Sequence, residues 1–253
     1  MAVYGGNHAG AAGDGPRVVA VVPTYDEREN LPRIVDAILR DSSAHVLVVD
    51  DASPDGTGAI ADAIAAEQPR VDVLHRAGKQ GLGRAYLDGF AHALVDARAF
   101  THVVQLDADL SHDPAAIASL LQACRDGADV ALGSRWTEGG GTVNWPLSRR
   151  LLSRGGSRYA GAVLGLPIRD LTGGFKCWRR EALAAVLRGP VRTAGYGFQI
   201  EMTARAVALG LRAVEVPIIF REREYGSSKM SGRIVREALV GVWRLRRELR
   251  RGH

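Results

Sequence analysis

The sequence predicts an α/β fold in which a largely parallel sheet is covered by helices on both faces. Two observations carry that expectation. From Arg17 onward, short β-branched runs alternate with helical patterns. Four of those runs also end in groups of polar residues, where open sheets of this class bind their ligands.

In order, residues 1–16 hold five glycines and no apolar pattern and read as a flexible leader. Val18 to Val22 is the first strand, halted at Pro23. Leu31, Ile34, Val35, Ile38 and Leu39 make the stripe of the first helix, with Asn30 as its cap. His45 to Val49 is the second strand, and ASPDGTG turns into a helix carrying Ile60 and Ile64. Val71 to Leu74 is the third, after which GKQGLG opens a helix with Leu82, Ala85, Tyr86, Phe90 and Leu94 inward. That segment lacks the residue order of a phosphate loop and reads as a turn, from which Lys79 is long enough to reach a nucleotide pocket. His102 to Leu106 is the fourth strand, Asp113-Pro114 an N-cap and first helical position, and Ile117, Leu120, Leu121 and Cys124 the next stripe. Ala128 to Leu132 is the fifth strand, ending in Gly133-Ser134-Arg135.

The second half is more basic. Trp145 to Leu164 reads as a helix with Arg150, Arg154 and Arg158 on one stripe beside leucines, the composition of an interfacial helix. Gly155 and Gly156 weaken it by about 1 kcal/mol each, so it needs a partner or a membrane surface. DLTGGFKCWR looks like strand and turn, Tyr196 to Leu209 is helical with Phe198, Met202, Ala206 and Leu209 in register, and Val214 to Phe220 is a further strand. The last element sets Val235, Ala238, Val242, Leu245 and Leu249 on one face and suits either anionic lipid or its own domain.

The 253 residues and 46% hydrophobic content support a substantial core. No apolar stretch spans a membrane and none resembles a signal core, so a cytoplasmic protein is expected, with Cys124 and Cys177 reduced. The net charge of +5 is unevenly placed: RLRRELRR at 244–251 holds five arginines and one glutamate, and 139–169 holds five arginines and no acid. Such clusters draw phosphate-bearing partners, and few interleaved aromatics argue against nucleic acid.

The segment THVVQLDADLSHDP carries the chemistry. On an extended chain Asp107 and Asp109 project to one side, and two converging carboxylates need a cation between them, with Mg²⁺ or Mn²⁺ the fitting metals. Alone, a D-x-D is more often a capped turn than a metal site.

VVPTYDERENL, VVDDASPDGT, QLDADLSHDP, GSRW, DLTGGFKCWRR, GFQIEM and REREYGSSK, in this order between Arg17 and Lys229, resemble the family 2 inverting glycosyltransferases, nearest to the polyprenyl (dolichyl) phosphate mannose synthases in a form without transmembrane helices. The resemblance implies a GT-A fold over residues 17–229, followed by the basic amphipathic helix and tail at 230–253. It implies mannose transfer from GDP-mannose to polyprenyl phosphate with inversion, by an enzyme peripheral to an anionic membrane. Pro23, Tyr25 and Glu27 match the first nucleotide-binding segment, and Asp51, with Val49 beside it, the nucleoside contact. Asp107, Ala108 and Asp109 match the metal and sugar-nucleotide motif. Ser111 stands where relatives often carry Gln, as a shorter, weaker metal ligand or one acting through water. Arg223 and Lys229 match the diphosphate contacts. Arg135, Arg149 and Ser153 match the acceptor-phosphate site, with Arg150 as an alternative register. Glu201 falls near the usual place of a base and is expected to orient the acceptor arginines. UDP-glucose as donor keeps the same fold and remains the rival reading.

Overall fold

A computed structural model describes residues 15–193, 196–222 and 232–251. Residues 1–14, within the expected leader, and residues 223–230, with Arg223 and Lys229, lie outside the described residues, as do the side chains of Val235 and Ala238.

In chain order the elements are β1 (Val18–Thr24), α1 (Leu31–Asp41), β2 (His45–Asp50), α2 (Thr57–Glu67), β3 (Val71–His75), α3 (Leu82–Val95), β4 (His102–Gln105), α4 (Ile117–Arg125), β5 (Val130–Ser134), β6 (Gly141–Val143), α5 (Leu147–Leu164), β7 (Lys176–Arg179), α6 (Arg180–Leu187), α7 (Tyr196–Ala208), β8 (Ala213–Pro217), β9 (Ile219–Arg221) and α8 (Gly232–Arg251). Seven strands form one sheet in the order β3-β2-β1-β4-β7-β5-β8. All neighbours run parallel except β7, which lies antiparallel between β4 and β5. β6 and β9 pair separately.

The pleat divides the core in two. Val19 and Val21 pack with Leu47, Val49 and residues of α3, α5, α6, α7 and α8, whereas Val18, Ala20 and Val22 pack with residues of α1, α2 and α4. Both faces are therefore apolar, and the β-branched runs show no polar alternation. α8 buries Val242 and Leu245 in the first of these cores, and the Trp243 indole N–H donates to the Tyr159 hydroxyl of α5 at 2.9 Å. The helix that needed a partner finds it in α8.

Several boundaries move for identifiable reasons. β1 runs through Pro23, which pairs with Val49 of β2. The Leu106 N–H reaches the Val21 carbonyl at 3.5 Å where the β4 ladder ends, so the missing Pro23 N–H, on the same edge two residues later, breaks no ladder. The expected strand over 214–220 divides at Pro217 into β8 of the main sheet and β9 of the small one. Leu82 and Leu209, expected inward, are exposed at helix ends. Asn30 makes no side-chain cap; its amide donates to Glu27 Oε2 at 2.7 Å instead.

Gly89 fixes how closely α3 lies on the sheet: a Cβ there would stand 2.5 Å from Val21 Cγ1 and 2.9 Å from Val49 Cγ2. At Gly155 a Cβ would meet nothing within 4 Å. In urea unfolding, Gly89→Ala is therefore expected to lose about 1–3 kcal/mol by overpacking, while Gly155→Ala gains about 0.5–1 kcal/mol through helix propensity.

A polar ladder crosses the first core. The buried Lys176 Nζ donates to the Gln199 carbonyl at 2.8 Å and to its Oε1 at 3.1 Å, and Gln105 Nε2 donates to the same Oε1 at 2.6 Å. Burial lowers Lys176 from the ordinary 10.5 to about 7, against the raising effect of Asp170. Between these two values the unfolded chain binds a proton that the native chain lacks, so stability should rise with pH from about 7 to 10.5 and be flat below. The slope should approach about 1.4 kcal/mol per pH unit, and Lys176→Met should remove it in denaturant unfolding repeated across that range.

Candidate active site

The polar strand ends meet above the carboxyl edge of the sheet, and the first two are sewn together. Thr24 Oγ1 donates to Asp50 Oδ1 at 3.1 Å, the Asp26 N–H to Ser53 Oγ at 3.2 Å, the Glu27 N–H to Thr57 Oγ1 at 3.0 Å, and the Arg28 N–H to Asp55 Oδ2 at 3.2 Å. These bonds set Tyr25 and Glu27 beside Asp51. The Lys79 ammonium sits 3.3 Å from the centre of the Tyr25 ring, so the GKQGLG turn does reach this end of the sheet. Asp51 pairs with Arg76, which also donates to Asp88 at 2.7 Å. The Pro23, Val49 and Ala108 side chains are buried, those of Val49 and Ala108 in the core, and Val49 sits in the sheet opposite Pro23 and Leu74.

β4 stops at Gln105, so Asp107 and Asp109 stand on a turn beyond it rather than on extended chain. Asp109 Oδ1 accepts the Ser111 N–H at 3.1 Å, and Leu110 between them is left-handed at φ 59°. The buried Tyr86 hydroxyl donates to Asp107 Oδ1 at 2.9 Å; burial, then the Asp107 charge, push its pKa up and keep it a donor. The Asp107 N–H donates to His112 Nδ1 at 3.3 Å, and burial lowers the His112 imidazole, consistent with a neutral acceptor. Gly174 backs the turn: a Cβ there would lie 3.3 Å from Asp107 Oδ2. As expected, Asp113 caps the next turn by accepting the Ala115 N–H at 3.0 Å.

The Ser111 hydroxyl is buried and has no hydrogen-bond partner among the described residues. A buried polar group in that state costs free energy until something fills its place. Two carboxylates and this hydroxyl make an all-oxygen donor set that fits Mg²⁺ or Mn²⁺. Among the described residues no group of three or more His, Cys, Asp or Glu is placed to hold a metal.

On the other side Arg135 is 7% exposed and grips Asp170 through Nε and Nη2, both at 2.7 Å, with Nη2 also donating to Thr172 Oγ1 at 2.9 Å. Burial works to raise Asp170, and Arg135 outweighs it, holding the carboxyl below its ordinary range. Around the Arg135 guanidinium, Trp136, Trp145 and Phe220 lie 5.4–5.5 Å away. Arg149 stacks on Trp145 at 4.1 Å and pairs with Glu222. Ser153 follows Arg149 by one turn of α5, whereas Arg150 is exposed. His112 meets Phe220 edge-on at 5.2 Å, which joins this aromatic group to the aspartate turn.

Glu201 lies apart from both halves. Its oxygens accept the Arg192 N–H, the Thr193 N–H at 2.8 Å, Thr193 Oγ1 at 2.6 Å and Arg205 Nε at 2.8 Å. It anchors residues 192–193 to α7 and does not orient Arg135 or Arg149, because buried α7 turns that carboxylate toward its own loop. Sequence reasoning does not single out Tyr86, His112, Arg76 and Asp170; two of them lie in quoted motifs, His112 in QLDADLSHDP and Asp170 at the head of DLTGG.

A family model described as glycosyl transferase family 2 matches residues 19–187. The undecaprenyl-phosphate mannosyltransferase of Micrococcus luteus is 50% identical over 232 residues, covering 90% of this chain and 93% of its own. The polyprenol monophosphomannose synthase of Mycolicibacterium smegmatis is 48% identical over 239 residues, 93% of this chain and 89% of its own. Among solved structures, glucosyl-3-phosphoglycerate synthase from Mycobacterium tuberculosis with UDP superposes at a TM-score of 0.68 with 19% identity, over 92% of this chain and 80% of that one. A mannosyltransferase from Pyrobaculum calidifontis with GDP-Man and Mn²⁺ superposes at 0.63 with 21% identity, over 90% and 63%. The parallel sheet with its one reversed strand is thus the GT-A fold, and the chain belongs to glycosyl transferase family 2.

Proposed function

We propose that the chain transfers mannose from GDP-mannose to a polyprenyl phosphate, with inversion at the anomeric carbon. The observation that carries this reading is the pair of relatives, about half identical along nine-tenths of the chain, that are both named for mannosyl transfer to a polyprenyl phosphate or polyprenol. The site chemistry supports it. In the reaction an acceptor phosphate oxygen forms a bond to C1 of mannose as the bond from C1 to the diphosphate breaks, and GDP leaves. The acceptor is already anionic at neutral pH, so it needs positioning rather than a base, and Glu201, wholly engaged in anchoring its loop, is not required as one.

Tyr25, Glu27 and Asp51, with Pro23, Val49 and Ala108 beside them, are assigned to the nucleotide sugar. Asp107, Asp109 and Ser111 are assigned to a divalent Mg²⁺ or Mn²⁺, which supplies neutralisation of the leaving diphosphate. Arg223 and Lys229, outside the described residues, are assigned to the same diphosphate. Their segment starts next to Arg221, whose N–H donates to the Ser111 carbonyl at 3.1 Å. Arg135, Arg149 and Ser153 are assigned to the acceptor phosphate, where a guanidinium fixed in advance stabilises charge without reorganising. No helix among the described residues is long and apolar enough to cross a membrane. Leu147, Leu151 and Leu152 of α5 and Val240 and Trp243 of α8 are exposed, which favours peripheral attachment where a polyprenyl chain is held.

With Mg²⁺ or Mn²⁺, a short polyprenyl phosphate and radiolabelled donor, label should enter the organic phase from GDP-mannose and not from UDP-glucose; the reverse preference would overturn the donor assignment. Asp109→Ala should lower turnover about 10²-fold or more. Ser111→Ala should raise the metal concentration for half activity while leaving kcat at saturating metal nearly unchanged. Tyr86→Phe, which removes one neutral donor to Asp107, should lower kcat/KM by roughly tenfold, read in the same assay.

A further inference from the structure

Outside the residues assigned above, three arginines gather at one cavity. Arg154 and Arg158, one turn apart on α5, and Arg169, in the segment between α5 and β7, line a space of about 500 Å³ together with Trp136. None of these three guanidinium groups has a hydrogen bond or ion pair among the described residues, in contrast to Arg135 and Arg149, which are met by Asp170 and Glu222. The Trp136 indole N–H is buried and likewise has no partner. The three arginines are exposed, so water screens their mutual repulsion to a modest cost, and the unmet buried donor carries most of the penalty. Both penalties disappear when an anion with several acceptor oxygens sits between them. A phosphate group answers this description: guanidinium groups grip its oxygens in pairs, and an indole N–H supplies a single directed bond.

We propose that the Trp136–Arg154–Arg158–Arg169 cavity is a second phosphate site, separate from the acceptor-phosphate arginines. It takes a phosphate group carried either on a lipid headgroup or on a soluble molecule. The same helix exposes Leu147, Leu151 and Leu152, so a headgroup phosphate would bring those leucines down on the lipid surface. The site rests on no assumption about the sugar donor or the acceptor, and its test uses neither.

The chain has four tryptophans, so a ¹⁵N-labelled sample gives four indole N–H signals, and the one missing from Trp136→Phe is assigned to Trp136. Three titrants are compared at constant ionic strength: inorganic phosphate, dihexanoyl phosphatidylglycerol and dihexanoyl phosphatidylcholine. The Trp136 signal is expected to move saturably with at least one phosphate carrier, and Arg154→Gln with Arg158→Gln to weaken that binding about tenfold or more. The other three signals, unmoved in the variant, report that it is folded. Saturation by phosphatidylglycerol alone identifies the lipid source, and saturation by inorganic phosphate alone a soluble one. A Trp136 signal that stays in place with every titrant, that follows chloride equally, or that responds with the same affinity in the double variant would overturn the site.

Discussion

The Arg135–Asp170 pair is the interaction on which the rest of this site depends. Asp170 receives the guanidinium through two 2.7 Å bonds and the Arg135 N–H at 3.0 Å, which locks the end of β5 to the segment leading into β7. Its own N–H and that of Arg169 are held by the Glu215 carboxylate of β8 at 2.9 and 3.0 Å, and Thr172 reaches Ser157 of α5 at 3.2 Å. One buried ion pair thus ties two strands, a helix and the turn that backs Asp107. Such a pair adds little net stability, since desolvation offsets most of the attraction, yet removing one member strands a buried charge at about 3–5 kcal/mol. What it contributes is position.

The second constraint is backbone strain beside the candidate site residues. Of the five non-glycine residues with positive φ among the described residues, Asp26, Ala52 and Leu110 each lie in the turn after β1, β2 or β4, next to Tyr25, Asp51 and Asp109. Aspartate tolerates this region, but alanine and leucine do so at about 1 kcal/mol or more. The strained turns survive because hydrogen bonds hold them: the Asp26 N–H to Ser53 and the Asp51 N–H to Thr24 across neighbouring loops, and the Ser111 N–H to Asp109 within its own turn. Side chains at three neighbouring strand ends are thereby aimed over the sheet edge instead of along it.

Periodicity made the sheet and its helices legible, because strands buried on both faces leave β-branched runs whatever they pair with. The reversed β7 was not legible: KCWR pairs two charged residues with two apolar ones and has no β-branched run, and direction depends on a chain path that a local pattern does not record. Linked motifs singled out two groups of residues, among them the buried Arg135 and the turn at Asp109, that the fold brings to the carboxyl edge of the sheet. Residues that serve the site from beneath were hidden for a common reason. Tyr86 stacks on Phe198 at 5.8 Å and lies on the inward stripe of α3, so its hydroxyl at Asp107 is invisible until α3 is docked. Glu201 misled in the opposite sense, since the motif around it is real while its carboxylate faces its own loop.

Satisfaction of buried polar atoms separates the parts of the molecule that are finished from those built to receive something. Most buried groups in a folded protein are hydrogen-bonded, and an exception asks for a cause. Here the described exceptions are Asn30 Oδ1, the Ser111 and Thr142 hydroxyls and the indole N–H groups of Trp136 and Trp145. Asn30 holds Glu27, Ser111 follows the aspartates, Trp136 and Trp145 flank Arg135, and Thr142 lies in β6 between them. None belongs to the distant end of the sheet, where Arg70 spends its guanidinium on the Leu39, Ser42 and Ala44 carbonyls. Restriction of the unmet atoms to the carboxyl edge follows if oxygen-rich ligands complete the bonding there, with a cation and a phosphate drawing on different members of the same set.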